Sequence, residues 1–380
     1  MEKLRIGIDC QYLLSNSPAG PERYASCLIS ALSEIDSINE YTLFFKKIPE
    51  PEFLGKLTHS APNFNFKAIP PSVSWTQYGL AKELLKNPIN VFFSPFHTLP
   101  FLAVRRLSNL RRTRFVSMIH GLEYDYEHKN LLKKCRLNFL LRNTVRYSDK
   151  VLVPAEHTKK ALLKKAWVKD EFKITVVPEG VAPGFKKYPF NEVLPVLEKY
   201  DLDKTPYLIF ISTIQPRKNV PNLIGGFARS LKTGGIMEDT KLVLVGGEGW
   251  DYEESLRAPE KYNVTENALF TGRIPDEDLT RLLSGAKAYV SVSLEEGFGL
   301  SLLEAMSSKV PCVISDIPSY RDLAKENAIY VNPKSIESIS NGICKALNHP
   351  NVSVEKAYEQ SQKYSWRTTA RKTLEVFRSF

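Results

Sequence analysis

Short apolar runs rich in Val, Ile and Phe alternate with longer segments of helical periodicity along the whole chain. In the first half, residues 4–9, 41–45, 91–94, 115–119 and 151–154 read as strands, and 23–35 and 131–147 as helices between them. Beyond residue 200 the rhythm is cleaner. Residues 207–212, 242–245, 268–271, 288–292 and 312–315 each precede a loop and a helical segment. Strands apolar at consecutive positions are buried on both faces, and that means parallel sheets covered by helices. Two successive sets of βαβ units predict an α/β protein of two doubly wound, Rossmann-like domains facing a cleft. Pro178, Gly180, Pro183 and Gly184 interrupt both periodicities and mark the connector. Domains are accordingly expected over residues 1–178 and 179–363.

The length of 380 residues suits two such domains. With 43% hydrophobic and 25% charged residues and no low-complexity tract, the chain is not disordered, collagen-like or a coiled coil. No run of about 18 apolar residues predicts a transmembrane helix. The chain opens on a strand pattern without a signal peptide, and its five cysteines are scattered, with no Cys-x-x-Cys. Free thiols and a cytoplasmic location are expected.

Charge is less ordinary. The net +10 lies wholly within residues 101–180, which carry 18 Lys and Arg against 8 Asp and Glu; the segments on either side are neutral. Arg105-Arg106, Arg111-Arg112-x-Arg114, Lys133-Lys134-x-Arg136 and the 159–165 lysines make up much of it. Such a region suits an anionic membrane surface, or else it is a solvated face. No nucleic-acid motif accompanies it, so no nucleic-acid partner is expected.

Chemistry in doubly wound folds sits in the loops after strands. The densest candidate is Ser291-Val-Ser-Leu-Glu-Glu296-Gly-Phe298-Gly299-Leu300-Ser301-Leu-Leu-Glu304-Ala-Met306. A strand ends there, glycines follow, and a helix begins near Leu300 or Ser301. The free N–H groups of its first turn suit a phosphate, and glycines let backbone approach a ligand. Glu296 and Glu304 place one carboxylate before the turn and one inside the helix, where each can accept a pair of sugar or ribose hydroxyls. The second candidate is Ser212-Thr-Ile-Gln-Pro-Arg217-Lys218-Asn219: two cations at a helix start need an anion, and a diphosphate fits. His120 ends a strand of the first domain, and the loop 9–24, with Gly20, follows the first strand. Walker A, zinc, His-Glu-x-x-His, Gly-x-Ser-x-Gly and complete Gly-x-Gly-x-x-Gly patterns are missing.

With these residues in view, the sequence resembles the retaining nucleotide-sugar glycosyltransferases of family 4, which have the GT-B fold. The similarity is strongest over residues 205–335. Glu296 and Glu304 stand in the family's Glu-x7-Glu signature, and Thr271-Gly272-Arg273-Ile-Pro275 matches its nucleobase loop. Asp9, Gly20, Arg23 and Tyr24 resemble the opening of a bacterial mannosyltransferase-like subgroup. The resemblance implies that Glu296 contacts the donor sugar and Glu304 the ribose. Arg217 and Lys218, with the N–H groups of Gly299, Leu300 and Ser301 beside Phe298, would neutralise the diphosphate. Gly272 and Arg273 would border the base, Gly20 would approach the phosphates, and His120 would reach the sugar. Residues 364–380 would form a helix that returns to the first domain. The departures are Glu22 for a glycine of the first loop, no arginine at the end of the strand holding Ser212 and Thr213 (so that Arg217 acts without it), Lys309 for a glycine before Val310-Pro311, and Gly121 for an aspartate after His120.

The expected activity is transfer of a hexose, with mannose from GDP-mannose leading, to a hydroxyl of a glycan or lipid-linked acceptor, with retention. No metal or other cofactor is expected, and the location is cytoplasmic or peripheral on the inner membrane face. A UDP-hexose-dependent transferase, a GT-B epimerase and a non-catalytic nucleotide-sugar binder are the alternatives.

Overall fold

The computed structural model describes residues 3–14, 20–70, 74–109, 113–122, 131–168, 170–348 and 353–380. The chain divides into two compact units, residues 1–180 with 365–380, and residues 181–364. The first boundary lies two residues beyond the expected one. The terminal helix Trp366–Phe377 belongs to the first unit, where it packs along the helix Gly20–Ile35.

The first unit holds seven parallel strands: β1 (Arg5–Asp9), β2 (Glu40–Phe45), β3 (Phe64–Ala68), β4 (Val91–Ser94), β5 (Arg114–Met118), β6 (Lys150–Val153) and β7 (Ile174–Val176). Their order is β3-β2-β1-β4-β5-β6-β7, so the sheet reverses its direction of growth between β1 and β4. Phe92 and Phe115 pack under the helix Phe101–Asn109 on one stretch of the sheet, and Val151, Val153 and Ile174 pack with Leu141 and Val145 on another.

The second unit is a six-stranded parallel sheet: β8 (Tyr207–Ile211), β9 (Lys241–Val245), β10 (Ala268–Gly272), β11 (Ala288–Ser291), β12 (Cys312–Ser315) and β13 (Ile329–Val331). The order β10-β9-β8-β11-β12-β13 reverses between β8 and β11. The helices Val220–Lys232 and Ile336–Asn348 lie against each other on it. Their contact is close because Gly226 has no side chain: a Cβ there would stand 2.4 Å from the Ile339 side chain.

Ten strands match the hydrophobic pattern to within a residue or two. The pattern misses β3, β7 and β13, and all three are edge strands. An edge strand has one partner and is covered less completely, so its composition carries less apolar signal. β3 shows this: only Phe64 of its five residues is fully buried.

Candidate active site

The reversal point of the second sheet is where its candidate residues gather. In this topology the loops leaving β8 and β11 run to opposite sides and open a crevice at the carboxyl edge. The loop after β8 closes as a single 3-10 turn, Pro216–Lys218, and Asn219 then takes a left-handed conformation (φ 59) to start the helix Val220–Lys232. The Asn219 amide donates to the carbonyl oxygens of Val292 (3.0 Å) and Pro333 (2.7 Å), which pins this turn to the end of β11. The backbone N–H of Leu294 donates to the Arg217 carbonyl at 2.8 Å. Both cations are thereby held inward, and Arg217 and Lys218 are buried although they lie in a loop.

They converge on Glu296. Arg217 Nη1 donates to Glu296 Oε2 at 2.9 Å and to the Glu295 carbonyl at 3.1 Å. Lys218 Nζ reaches Oε1 at 2.5 Å, Ser293 Oγ donates to the same oxygen at 2.8 Å, and Tyr320 Oη follows at 3.3 Å. Burial on its own would raise the Glu296 carboxyl; Lys218 and Arg217 outweigh it and bring the group down to about 2. Glu296 is an anion throughout the working pH range, and it is held as one.

The helix Leu300–Ser307 follows directly. Gly299 caps it in a left-handed conformation (φ 102), where a side chain would be strained. Ser301 Oγ pairs with Tyr289 Oη at 2.8 Å, and Glu304 is 1% exposed within the helix. Phe298 is buried with its ring edge-on to Tyr364. At the end of β10, Gly272 is left-handed (φ 66) with open space where its Cβ would be. Exposed Arg273 lies over Gly247, with its Nε 3.2 Å from where a Cβ there would stand.

His120 belongs to the first unit, at the end of β5. Nδ1 lies 3.1 Å from Glu179 Oε1 and Nε2 lies 3.0 Å from the Pro95 carbonyl oxygen. Its backbone N–H donates to His97 Nε2 at 2.9 Å, so that nitrogen carries no proton. Burial, and then the neighbouring His120, depress His97 to about 3. Gly20 is exposed at the start of its helix, and among the described residues nothing lies within 4 Å of where its Cβ would be. Residues 15–19 of that loop lie outside the described residues, as do Arg111 and Arg112 of the basic region.

Sequence reasoning gave Glu296 and the two cations separate ligands; the structure brings all three together. It missed Ser293, Tyr320 and Asn219 as partners of this cluster, and Glu179 as the partner of His120. Ser293 stood within a quoted motif. Tyr320 and Glu179 are distant in sequence from the groups they touch, and only the spacing of loops along a sheet edge could have pointed to them.

Two family models match the chain, Glycosyltransferase Family 4 over residues 19–185 and Glycosyl transferases group 1 over residues 197–365. The chain belongs to these glycosyltransferases. Its relatives include the O-antigen chain mannosyltransferase B of Escherichia coli, 30% identical over 190 residues, which are 49% of each chain. The match thus spans about half the length of that relative. The O-antigen chain mannosyltransferase RfbU of Salmonella typhimurium is 25% identical over 88% of this chain and 92% of its own. Among solved structures, Anabaena HepE, crystallised with UDP and glucose, superposes with a TM-score of 0.77 at 17% identity, covering 99% of this chain and all of that one. The fold is GT-B, two parallel-sheet Rossmann-like domains.

Proposed function

We propose that this family member transfers a hexose from a nucleoside diphosphate sugar to an acceptor hydroxyl on a glycan or lipid-linked saccharide, with retention of anomeric configuration. The observation that carries the reading is the buried cluster of Arg217, Lys218 and Glu296 at the sheet reversal, beside the start of the helix Leu300–Ser307. Mannose from GDP-mannose is the first donor to test, because two relatives of this chain are O-antigen chain mannosyltransferases. A UDP-hexose is the second.

In this reading the leaving diphosphate gains charge as the glycosidic bond breaks. Lys218 and Arg217 take that charge with the N–H groups of Leu300 and Ser301. Groups already oriented in a buried site stabilise developing charge more than they stabilise the ground state. Glu296 and Glu304 are the acceptors for sugar and ribose hydroxyls. In this reading the two cations take the electrostatic role that a metal plays in other transferases.

The reading extends to a peripheral cytoplasmic enzyme on an anionic membrane face. No described helix is long and apolar enough to cross a membrane. The helices Phe101–Asn109 and Leu131–Tyr147 contain no acidic residue, and they expose Arg105, Arg106, Arg136, Arg142 and Arg146. Leu102 and Phe139 stand out among these charges, 54% and 65% exposed. Basic side chains around apolar ones are what an anionic headgroup layer attracts.

Calorimetry with GDP, UDP, GDP-mannose and UDP-glucose, followed by transfer assays and NMR of the product anomer, tests the proposal. The expected result is tight binding of one nucleotide sugar and a retained product. Conversion of the sugar without any acceptor would make the protein an epimerase. A bound nucleotide located away from Lys218 and the Ser301 amide would end the reading.

A further inference from the structure

Glu296 is held by more than charge. An ammonium is a point charge on a flexible stem, so Lys218 fixes the carboxylate's ionisation better than its direction. The two hydroxyls on Oε1 are mounted differently. Ser293 is fully buried two residues beyond the end of β11 and donates at 2.8 Å. Tyr320 comes from the helix Pro318–Ala324 and is fully buried. Its Oη is tied on one side to Ser291 Oγ (2.7 Å) and on the other to Glu296 Oε1 (3.3 Å). The same ring lies beneath Gly299: a Cβ on Gly299 would stand 2.9 Å from Tyr320 Cε1. One rigid side chain therefore touches both the carboxylate and the residue that starts the helix Leu300–Ser307.

We infer that Tyr320, with Ser293, is a positioning residue of the transfer reaction: it aims the Glu296 carboxylate and sets the start of the helix Leu300–Ser307 relative to it. This rests on the proposed function. When a diphosphate draws on Arg217 and Lys218, Glu296 shares its cations with a second anion. Ser293 and Tyr320 carry no charge for the diphosphate to compete for, so they keep the carboxylate in place while the sugar binds. The hydroxyl of Tyr320 serves the sugar end and its ring serves the phosphate end.

That division is testable with Tyr320→Phe, Ser293→Ala and Tyr320→Leu, followed by calorimetry with GDP and UDP and by transfer kinetics on whichever sugar the wild-type protein accepts. Hydrogen bonds to a charged group are worth about tenfold or more, so Tyr320→Phe and Ser293→Ala should each lower kcat by about that factor. Affinity for the sugar-free nucleoside diphosphate should stay within about twofold, since neither hydroxyl touches the phosphate end. With a donor removed from Glu296, the acid limb of the rate profile should move to higher pH. Ser293→Thr should restore the rate. Tyr320→Leu should also weaken the nucleoside diphosphate. Wild-type kcat and an unmoved acid limb in Tyr320→Phe would overturn the inference. So would equal loss of sugar and diphosphate binding with a lowered Tm, which would make the role structural. A wild-type protein that binds no nucleotide sugar would remove the proposed function and this inference together, whereas an active wild type matched by Tyr320→Phe removes this inference alone.

Discussion

Lys218 Nζ lies 2.5 Å from Glu296 Oε1, and both side chains are buried. They are 78 residues apart in sequence, and Arg217 closes the same carboxylate from its other oxygen. A buried ion pair is costly to break from one side, because the remaining charge stays desolvated.

Lys218→Ala and Glu304→Ala should each lower transfer at least about a hundredfold, the scale of one lost transition-state partner. Rates come from initial velocities on the purified variants, with Tm measured alongside. Turnover near wild type in either variant contradicts its assignment.

The pH dependence follows from Glu296. Its carboxyl is depressed, so the stability it confers is present above its ordinary value of 4.5 and is lost as pH falls through about 2. Wild-type acid unfolding should therefore draw on this group as pH falls from about 4.5 to about 2. In Lys218→Met only Arg217 remains of the two cations against burial, so the carboxyl is less depressed and urea titrations should show a smaller loss of stability on acidification than in wild type. Superimposable pH–stability curves would contradict the pairing.

Asp9 has the opposite sign. It ends β1 fully buried and accepts from the backbone and side-chain amides of Gln11, both at 3.0 Å. Burial raises it to about 7 against the Gln11 hydrogen bonds and the more distant Lys46. A raised carboxyl contributes stability that is complete below its ordinary value of 3.8 and lost as pH rises through about 7. Asp9→Asn should gain Tm relative to wild type between pH 5 and pH 8, read by differential scanning calorimetry. A constant gap across that range would show that Asp9 does not titrate there.

Two glycines should separate fold from function. A Cβ on Gly246 (φ 147) would stand 1.9 Å from the Ser212 carbonyl oxygen, between the loops that follow β8 and β9. Gly246→Ala should cost more than about 3 kcal/mol in denaturant unfolding. Among the described residues nothing stands near a Cβ on Gly20, so Gly20→Ala should leave Tm unchanged. A loss of transfer at unchanged Tm would place a substrate against Gly20, and full activity would remove it from the site.

Membrane docking predicts that sedimentation with phosphatidylglycerol vesicles exceeds that with phosphatidylcholine and falls steeply with salt. Phe139→Asp and Arg142→Glu should each weaken it without altering transfer to a soluble acceptor. Binding that ignores lipid charge would return these helices to solvent.

The strands at the centre of each sheet could be read from the chain, because burial on both faces demands unbroken apolar runs such as those of β8 and β9. The glycine-flanked turn and a helix beginning near Leu300 or Ser301 were legible for a similar reason: local backbone chemistry decides them. The ion pairs of Glu296, the Tyr320 hydroxyl beneath it and the clasp of Glu179 on His120 were decided by tertiary structure alone. Sequence specifies which groups stand at strand ends. Which strand ends become neighbours depends on the order of strands in the sheet, and that order sets Lys218 beside Glu296.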